Sequence, residues 1–301
     1  MDLGLEIIDT GCEDNMIQKQ NDCSVKAYDY DRLPVFQQVR IADLIAADNL
    51  AVVNKGQEEV TPPKTIYTAV IKRILDIVIS LIAIILTAPI NVILLIGTAL
   101  DVGRPLIFSQ ERMGKEGRVF TLYKFRNMTD EKDEKGILLP SYERTTKWGA
   151  FVRKTSLDEF LNFWSVLKGD MSIIGPRPLP VIYAGRFNVY HASRQNVRPG
   201  LDCPLHDKKM GYMTWQNRLD NDVWYVENVS FRTDCKMIFL LLNEVFAGKE
   251  KEGRARGGSE GTFMGYDKEG NVMNSYEIPS RYYEEVLNGH NLNRVDLGKA
   301  I

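Results

Sequence analysis

Hydrophobic and polar positions divide the chain into unequal stretches. Residues 1–65 are polar and acidic, with one helical pattern around Pro34–Leu50. The linker Thr61-Pro62-Pro63-Lys64 stops any helix before the next stretch. From Ile77 to Leu100 run 24 residues without a charge, enough to cross a bilayer core of about 30 Å. Lys72-Arg73 precede this run, and Arg104, Arg112 and Lys115 follow it. Pro89 sits in its middle with Asn91 close by, and proline removes a backbone donor and kinks a helix. Cations on both flanks also depart from the asymmetry of the positive-inside rule. Composition therefore leaves two topologies open: a straight transmembrane helix, or a kinked hairpin that enters and leaves by the cytoplasmic face.

Beyond the apolar run the period changes. Leu106–Met113 alternates as a strand, Gly114-Lys115-Glu116-Gly117 is a turn signal, and Val119–Met128 alternates again. Leu122, Lys124 and Arg126 fall on one face of that second strand, and the pair predicts a β-hairpin. Residues 129–145 are charged and predict a mobile loop. From Lys147 to Asp170 the spacing is helical, with Phe160, Phe163, Trp164 and Leu167 on one side. Residues 208–247 are mostly helical, and Met237–Leu242 is either core or an interfacial helix. The tail from Gly248 is rich in glycine and charge, with a helix expected near Ser280–Leu287. No internal repeat or low-complexity tract is visible. The expected fold class is mainly α with a small β-hairpin, α+β. Its parts are an acidic N-terminal extension (1–65), a membrane-anchored domain (66–247) and a C-terminal extension (248–301).

Charge sharpens this division. Residues 1–65 carry 12 acidic against 6 basic side chains, whereas residues 66–247 carry 24 basic against 19 acidic. A basic middle beside an apolar anchor suits anionic headgroups and phosphorylated ligands, although a mixed surface has the same count. Cys12, Cys23, Cys203 and Cys235 form no C-x-x-C pair or zinc spacing and read as free thiols of a reducing compartment. The first 65 residues hold no long apolar core, which predicts no secretory leader. No basic arm, zinc finger or helix-turn-helix pattern is present, so nucleic acid is not an expected partner.

The candidate chemistry lies in the basic middle. Ser156-x-x-Glu159 has the spacing of a capping box, with Asp158 favouring the helix dipole. The same geometry offers N–H groups to a phosphate, a carboxylate pair for Mg²⁺ and an Asp nucleophile for phosphorus. Arg177 lies between Pro176 and Pro178, which restrict its backbone. It is either an exposed turn residue or a fixed guanidinium for bidentate phosphate contact. Lys124 and Arg126 form a cationic wall or a solvated strand face. Arg198-Pro199-Gly200 repeats the Arg-Pro pattern more weakly. Asp222-Val223-Trp224-Tyr225 offers aromatic rings for a base or for packing. His191, His206 and His290 sit in no metal spacing.

Eight runs in order resemble a known family. They are Lys72–Asp76, Phe108–Gly114, Tyr123–Met128, Arg153–Glu159, Trp164–Ser172, Gly175–Pro178, Val197–Gly200 and Asp222–Asn228. Together they resemble the bacterial sugar transferases, monotopic polyprenyl-phosphate phosphoglycosyl transferases, over roughly residues 70–247. The resemblance implies a UDP-sugar donor, a polyprenyl (undecaprenyl) phosphate acceptor and a covalent phosphosugar-enzyme intermediate with release of UMP. Asp158 would be the nucleophile with Glu159 as its partner, and Mg²⁺ would bind at Asp158 with Glu159 assisting. Arg177 would serve the phosphate site, with Lys124, Arg126, Arg112 and Arg198 as further phosphate-binding candidates. The anchor would be a re-entrant helix over about residues 72–101, broken at Pro89. That puts the active site on the cytoplasmic face of the bacterial inner membrane, against anionic phospholipid. A homo-oligomer is left open.

This chain departs from many relatives at Ala88-Pro89, where they have Ser-Pro. It also departs at Leu201-Asp202-Cys203-Pro204, which follows Arg198-Pro199-Gly200. The head and tail fall outside the shared region. Two alternatives remain: a non-catalytic membrane scaffold of a polysaccharide assembly complex, against which the intact Asp158-Glu159 pair argues, and a single-pass protein whose soluble part only binds nucleotide.

Overall fold

The computed structural model describes residues 30–247, apart from 135, 137, 140, 208, 209, 211 and 212, and residues 261–288. Cys12, Cys23 and His290 lie outside the described residues, as do most of the acidic head and the start and end of the tail. Cys203 and Cys235 are free thiols.

Helix α1 (Val35–Val53) is followed by the long helix α2 (Lys72–Asp101). Strands β1 (Ile107–Met113) and β2 (Val119–Phe125) form the expected antiparallel hairpin, with Ile107 opposite Phe125 and Met113 opposite Val119. Helices α3 (Lys147–Lys154) and α4 (Asn162–Lys168) come next. Strands β3 (Ser172–Ile174) and β4 (Gly200–Asp202) pair in parallel. Helices α5 (Trp215–Asn228) and α6 (Phe231–Ala247) close the central part. A second hairpin, β5 (Phe263–Tyr266) and β6 (Val272–Asn274), leads to α7 (Ser280–Asn288). The protein is thus mostly helical with small sheets, and the parallel pair and the C-terminal hairpin add to the pattern read from the sequence.

Two stretches differ from expectation. The helical spacing over Lys147–Asp170 is cut in two, because Ser156 takes left-handed backbone angles (φ 56°, ψ 20°). A left-handed residue cannot continue a right-handed helix, so a single 3₁₀ turn, Leu157–Glu159, follows before α4 begins. Residues 129–145 fold back rather than forming a featureless loop. Met128 bridges to Thr145, and the Arg144 guanidinium donates to the carbonyls of Thr129 (3.0 Å) and Leu139 (2.7 Å).

The long helix is apolar and outward-facing. Its buried residues are Asp76, Ser80, Leu94 and Thr98, while Ile85, Leu86, Ile93 and Leu100 are among many exposed apolar side chains. Water does not tolerate an apolar face of that length on a monomer. Helical backbone continues on both sides of Pro89, and the Thr87 hydroxyl donates to the Ala83 carbonyl (2.8 Å). The first turns are tied to the folded body by polar contacts. Asp76 Oδ1 accepts from the Ser172 hydroxyl and the Ile173 amide, both at 2.9 Å. Arg73 donates to the carbonyls of Val166 (2.6 Å) and Leu167 (2.7 Å), which end α4. The far end is tied by packing. Leu94 joins Phe125 and Val152, and Gly97 lies so close to the Trp148 ring that a Cβ would fall 2.2 Å from it.

The segments at either end of the described chain pack on each other. Ile41 and Ile45 of α1 join Met264, Tyr282 and Tyr283. Val53, Phe263 and Tyr266 join Met113, Leu179, Tyr183 and Phe187 of the central part. Arg186, 2% exposed, donates to the Phe263 carbonyl (2.5 Å). His191 bridges the Tyr266 hydroxyl (2.8 Å) and Asp220 (2.9 Å).

This packing makes Phe263, fully buried, a stability determinant. Phe263→Ala is expected to lower the unfolding free energy by about 3–5 kcal/mol, read as a lower Tm in detergent. Phe239→Ala, at a 64% exposed position of α6, is expected to leave Tm near the wild-type value. Equal melting of the two variants would contradict the assignment of the core.

Candidate active site

Asp158 and Glu159 share the 3₁₀ turn after Ser156. Such a turn has three residues per revolution, so adjacent side chains leave it in directions about 120° apart. The two carboxylates therefore meet different surroundings. Leu157 and Leu161 on either side pack against the cluster of Leu94, Phe125 and Val152, which presses the turn onto the second half of α2.

Glu159 faces cations. Its Oε1 accepts from Lys124 Nζ at 2.7 Å and forms an ion pair with the Arg177 guanidinium. Burial acts to raise its pKa, but the charges of Arg177 and Lys124 outweigh burial and hold it down at about 2. Arg177 is raised, chiefly by Glu159. The space lined by Arg112, Lys124, Glu159, Asn162 and Arg177 is about 20 Å³, near the volume of one water. Glu159, rather than solvent, thus neutralises the two cations.

Asp158 is 5% exposed, and its Oδ2 accepts from the Asn127 amide at 3.2 Å. Burial pushes its pKa up to about 6; Lys124 pulls down, Glu159 pushes up and Arg177 pulls down. At neutral pH most of it is ionised, with its charge only partly compensated. Among the described residues no group of three or more His, Cys, Asp or Glu side chains converges.

The capping box expected from Ser156-x-x-Glu159 is not formed. Ser156 makes no side-chain cap, α4 starts only at Asn162, and the Glu159 carboxylate turns to Lys124 and Arg177. A salt bridge to two cations outcompetes a bond back to one amide.

The other expected residues divide by position. Arg112 donates to the Pro178 carbonyl (3.0 Å) and Gln110 (2.5 Å), so it lines the site and braces the Pro-Arg-Pro loop. Burial, helped by the nearby Arg177 charge, lowers its pKa to about 10. Arg126 follows the end of β2 and engages the Arg104 carbonyl (2.7 Å) and Asp130 (2.6 Å), so the wall of Lys124 plus Arg126 on one strand face is not formed. Arg198 donates to the Gly169 carbonyl (3.0 Å) and lines a separate cleft of about 390 Å³ with Lys115 and Arg118. Of the Asp222–Tyr225 run, Asp222 pairs with Arg194 (2.7 Å), Trp224 stacks on His206, and Tyr225 is buried against Asp234 (2.6 Å). Arg194 also donates to the Arg177 carbonyl (2.7 Å).

Sequence reasoning missed Asn127 and Arg194. Asn127 stands in the quoted Tyr123–Met128 run, but nothing in strand alternation marks it. No local signal marks Arg194.

The two carboxylates should respond oppositely to neutralisation. Asp158 titrates near 6 when folded against an ordinary value of 3.8, so the native state holds the extra proton between those values. Its ionised form lowers stability above pH 6, and that penalty fades as pH falls toward 4. Asp158→Asn is expected to raise Tm at pH 7.5 by the equivalent of about 1–3 kcal/mol, the gain shrinking toward pH 4. Glu159→Gln leaves Lys124 and Arg177 unpaired and is expected to cost about 3–5 kcal/mol. Metal-free thermal unfolding across pH reads both, and the reverse ordering would refute the split.

Comparison with known proteins gives the family. A family model described as bacterial sugar transferase matches residues 67–248. The sugar transferase EpsL of Bacillus subtilis is 38% identical over 60% of this chain and 89% of its own length. An Aeromonas hydrophila UDP-N-acetylgalactosamine-undecaprenyl-phosphate N-acetylgalactosaminephosphotransferase is 32% identical over 62% of this chain. A Klebsiella pneumoniae UDP-glucose:undecaprenyl-phosphate glucose-1-phosphate transferase is 34% identical over 60%. The matched region spans 46% and 41% of the lengths of those two proteins. With the matched stretch covering the long apolar helix, the hairpin, the carboxylate turn and the Pro-Arg-Pro loop, the chain belongs to the bacterial sugar transferase family.

Proposed function

We propose that this protein transfers a phosphosugar from a UDP-sugar to a polyprenyl (undecaprenyl) phosphate on the cytoplasmic face of the bacterial inner membrane, with release of UMP. The observation that carries the reading is the division of labour between neighbouring carboxylates. Glu159 holds Lys124 and Arg177 in place, while Asp158 keeps an under-compensated charge one residue away. Phosphoryl transfer needs positioning and charge neutralisation more than acid–base machinery.

In the first step an Asp158 oxygen attacks the phosphorus that carries the sugar. The bond from that phosphorus to the UMP oxygen breaks, and UMP leaves with the electron pair. Lys124 and Arg177 lie beside the nucleophile and can shift from Glu159 to the donor's phosphates. In the second step an oxygen of the polyprenyl phosphate attacks the same phosphorus. The bond to Asp158 breaks, the carboxylate returns, and polyprenyl-diphosphate-sugar is the product. Mg²⁺, held by Asp158 and the donor's phosphate oxygens with Glu159 assisting, would supply further charge neutralisation when bound. The donor set suits a cation shared with substrate phosphates rather than an all-protein cage.

The membrane helix re-enters the cytoplasmic face in this reading. Asp76 at its start and Leu94 and Gly97 near its end are both fixed to one folded body, which carries Lys124, Asp158 and Glu159 between them. Residues 76 and 97 of a straight helix are about 32 Å apart. A straight crossing would draw these charged groups into hydrocarbon, at several kcal/mol each. Phe231, Phe239 and Leu242 are exposed on α6, and Asp234 of the same helix accepts from Lys72 and Tyr67, both at 2.5 Å. That face suits the lipid interface.

UMP release from a panel of UDP-sugars, with Mg²⁺ and undecaprenyl phosphate, tests the reaction. The relatives carry different sugars in their names, so the sugar is the variable of the panel. Release is expected with one sugar, dependent on the acceptor, absent in Asp158→Asn and strongly reduced in Arg177→Ala. Intact mass should show a phosphosugar adduct in wild type and none in Asp158→Asn; turnover by that variant would remove the nucleophile assignment. Topology is read separately, in a cysteine-free background. Single cysteines at Ile66 and Arg104 should both react with an impermeant maleimide from the cytoplasmic side, and reaction from opposite sides would establish a straight span instead.

A further inference from the structure

The Asn127 side chain is the neutral polar group that touches the Asp158 carboxylate, its amide donating to Oδ2 at 3.2 Å. Asn127 lies two residues beyond the end of β2, half-buried, between the Arg126 amide, which donates to the Leu106 carbonyl (3.0 Å), and Met128, which bridges to Thr145. Another contact holds it. The buried Gly149 of α3 meets the Asn127 backbone so closely that a Cβ would fall 2.0 Å from its carbonyl oxygen and 2.7 Å from its carbonyl carbon. The Thr146 hydroxyl caps α3 by accepting from the Gly149 amide (2.9 Å), which fixes that end of the helix in turn. Any residue other than glycine would push the Asn127 backbone away from the carboxylate turn.

We propose that Asn127 is a positioning residue for the Asp158 leaving group, held in register by Gly149. The inference rests on Asp158 being the nucleophile. While Asp158 carries the phosphosugar, its second oxygen is a neutral carbonyl, and the Asn127 hydrogen bond to it is an ordinary one. As the acceptor phosphate forms its new bond to phosphorus, the bond to Asp158 breaks. The electron pair returns to the carboxylate and charge spreads over both oxygens. A hydrogen bond to a charged oxygen is roughly twice as strong as one to a neutral oxygen. The Asn127 amide therefore stabilises the departing carboxylate more than the adduct, and speeds discharge to the lipid. Formation of the adduct gains less, since the same bond also stabilises the attacking carboxylate.

The test separates the two half-reactions in Asn127→Ala and in the size-conserving Asn127→Leu, using full-length protein in nanodiscs. Adduct formation is followed by intact mass with UDP-sugar alone, and discharge by adding undecaprenyl phosphate. Asn127→Ala is expected to discharge about tenfold more slowly than wild type, with the adduct accumulating during turnover, kcat and KM for the UDP-sugar falling together and kcat/KM for the UDP-sugar little changed. Asn127→Leu should show the same imbalance, and Gly149→Ala a weaker form of it. A loosened fold would slow both half-reactions and accumulate no adduct. Wild-type discharge in both Asn127 variants, or equal slowing of both steps, would overturn the proposal. An adduct that persists in Asp158→Asn would instead overturn the nucleophile assignment on which the proposal rests.

Discussion

One carboxylate oxygen, Glu159 Oε1, joins three parts of the chain that are far apart in sequence. Lys124 comes from a strand, Arg177 from a loop fixed by prolines, and Glu159 from a 3₁₀ turn. Remove that oxygen and two cations face each other across about 20 Å³. The contact also decides the state of the neighbour. Since Glu159 absorbs most of the local positive charge, Asp158 is left with burial as its dominant influence and titrates near 6 rather than far below. Two adjacent carboxylates reach different states through their environments alone, and the tight turn makes this possible by aiming them apart.

The membrane anchor enters the same arrangement. A helix in lipid has little reason to bury Asp76, Ser80 and Thr98 unless that face meets protein; there Asp76 Oδ1 accepts from Ser172 and Ile173, and Ser80 donates back to the Asp76 carbonyl. Asp76 meets β3 and Leu94 meets the leucines that bracket the carboxylate turn. The position of the dyad against the apolar helix is therefore set by direct packing and not by a flexible tether. In the proposed reaction, an acceptor whose phosphate lies at headgroup level needs that fixed position.

What the sequence disclosed follows from where local physics dominates. The apolar run, the β1–β2 hairpin, α1 and α7 were legible because each repeats its own period. The turn at Asp158 was not, since Ser156 has ordinary helical neighbours and its left-handed backbone is imposed by the packing of α3, the turn and α2. The spacing of Ser156 and Glu159 pointed to a cap, and tertiary cations overrode it. Arg126 has the same strand parity as Lys124, yet the ladder ends at Phe125, so parity stopped being informative one residue too early. The β3–β4 pair and the Arg194–Arg177 contact join residues well separated in sequence, which no local pattern encodes. The motifs brought Lys124, Asp158, Glu159 and Arg177 together, but gave neither their partners nor the separate positions of Arg126 and Arg198.

The Pro-Arg-Pro loop shows how far from the chemistry its rigidity originates. Its prolines restrict φ, but position comes from Arg112 on the Pro178 carbonyl and Arg194 on the Arg177 carbonyl. Leu179, just beyond, packs with Tyr183, Phe187 and Met113, and that cluster is completed by Val53, Phe263 and Tyr266. The last three lie outside the residues 67–248 matched by the family model. Arg186, buried beneath them, donates to the Phe263 carbonyl and has its cationic head against the Tyr183 ring at 4.8 Å. Without the covering segment this guanidinium and the aromatic cluster would face water, and the wall behind Leu179 would be open. In this chain Leu179, two residues after the arginine that faces Glu159, is thus packed in one cluster with Val53, Phe263 and Tyr266, so described residues on both sides of the matched region support the wall behind the loop.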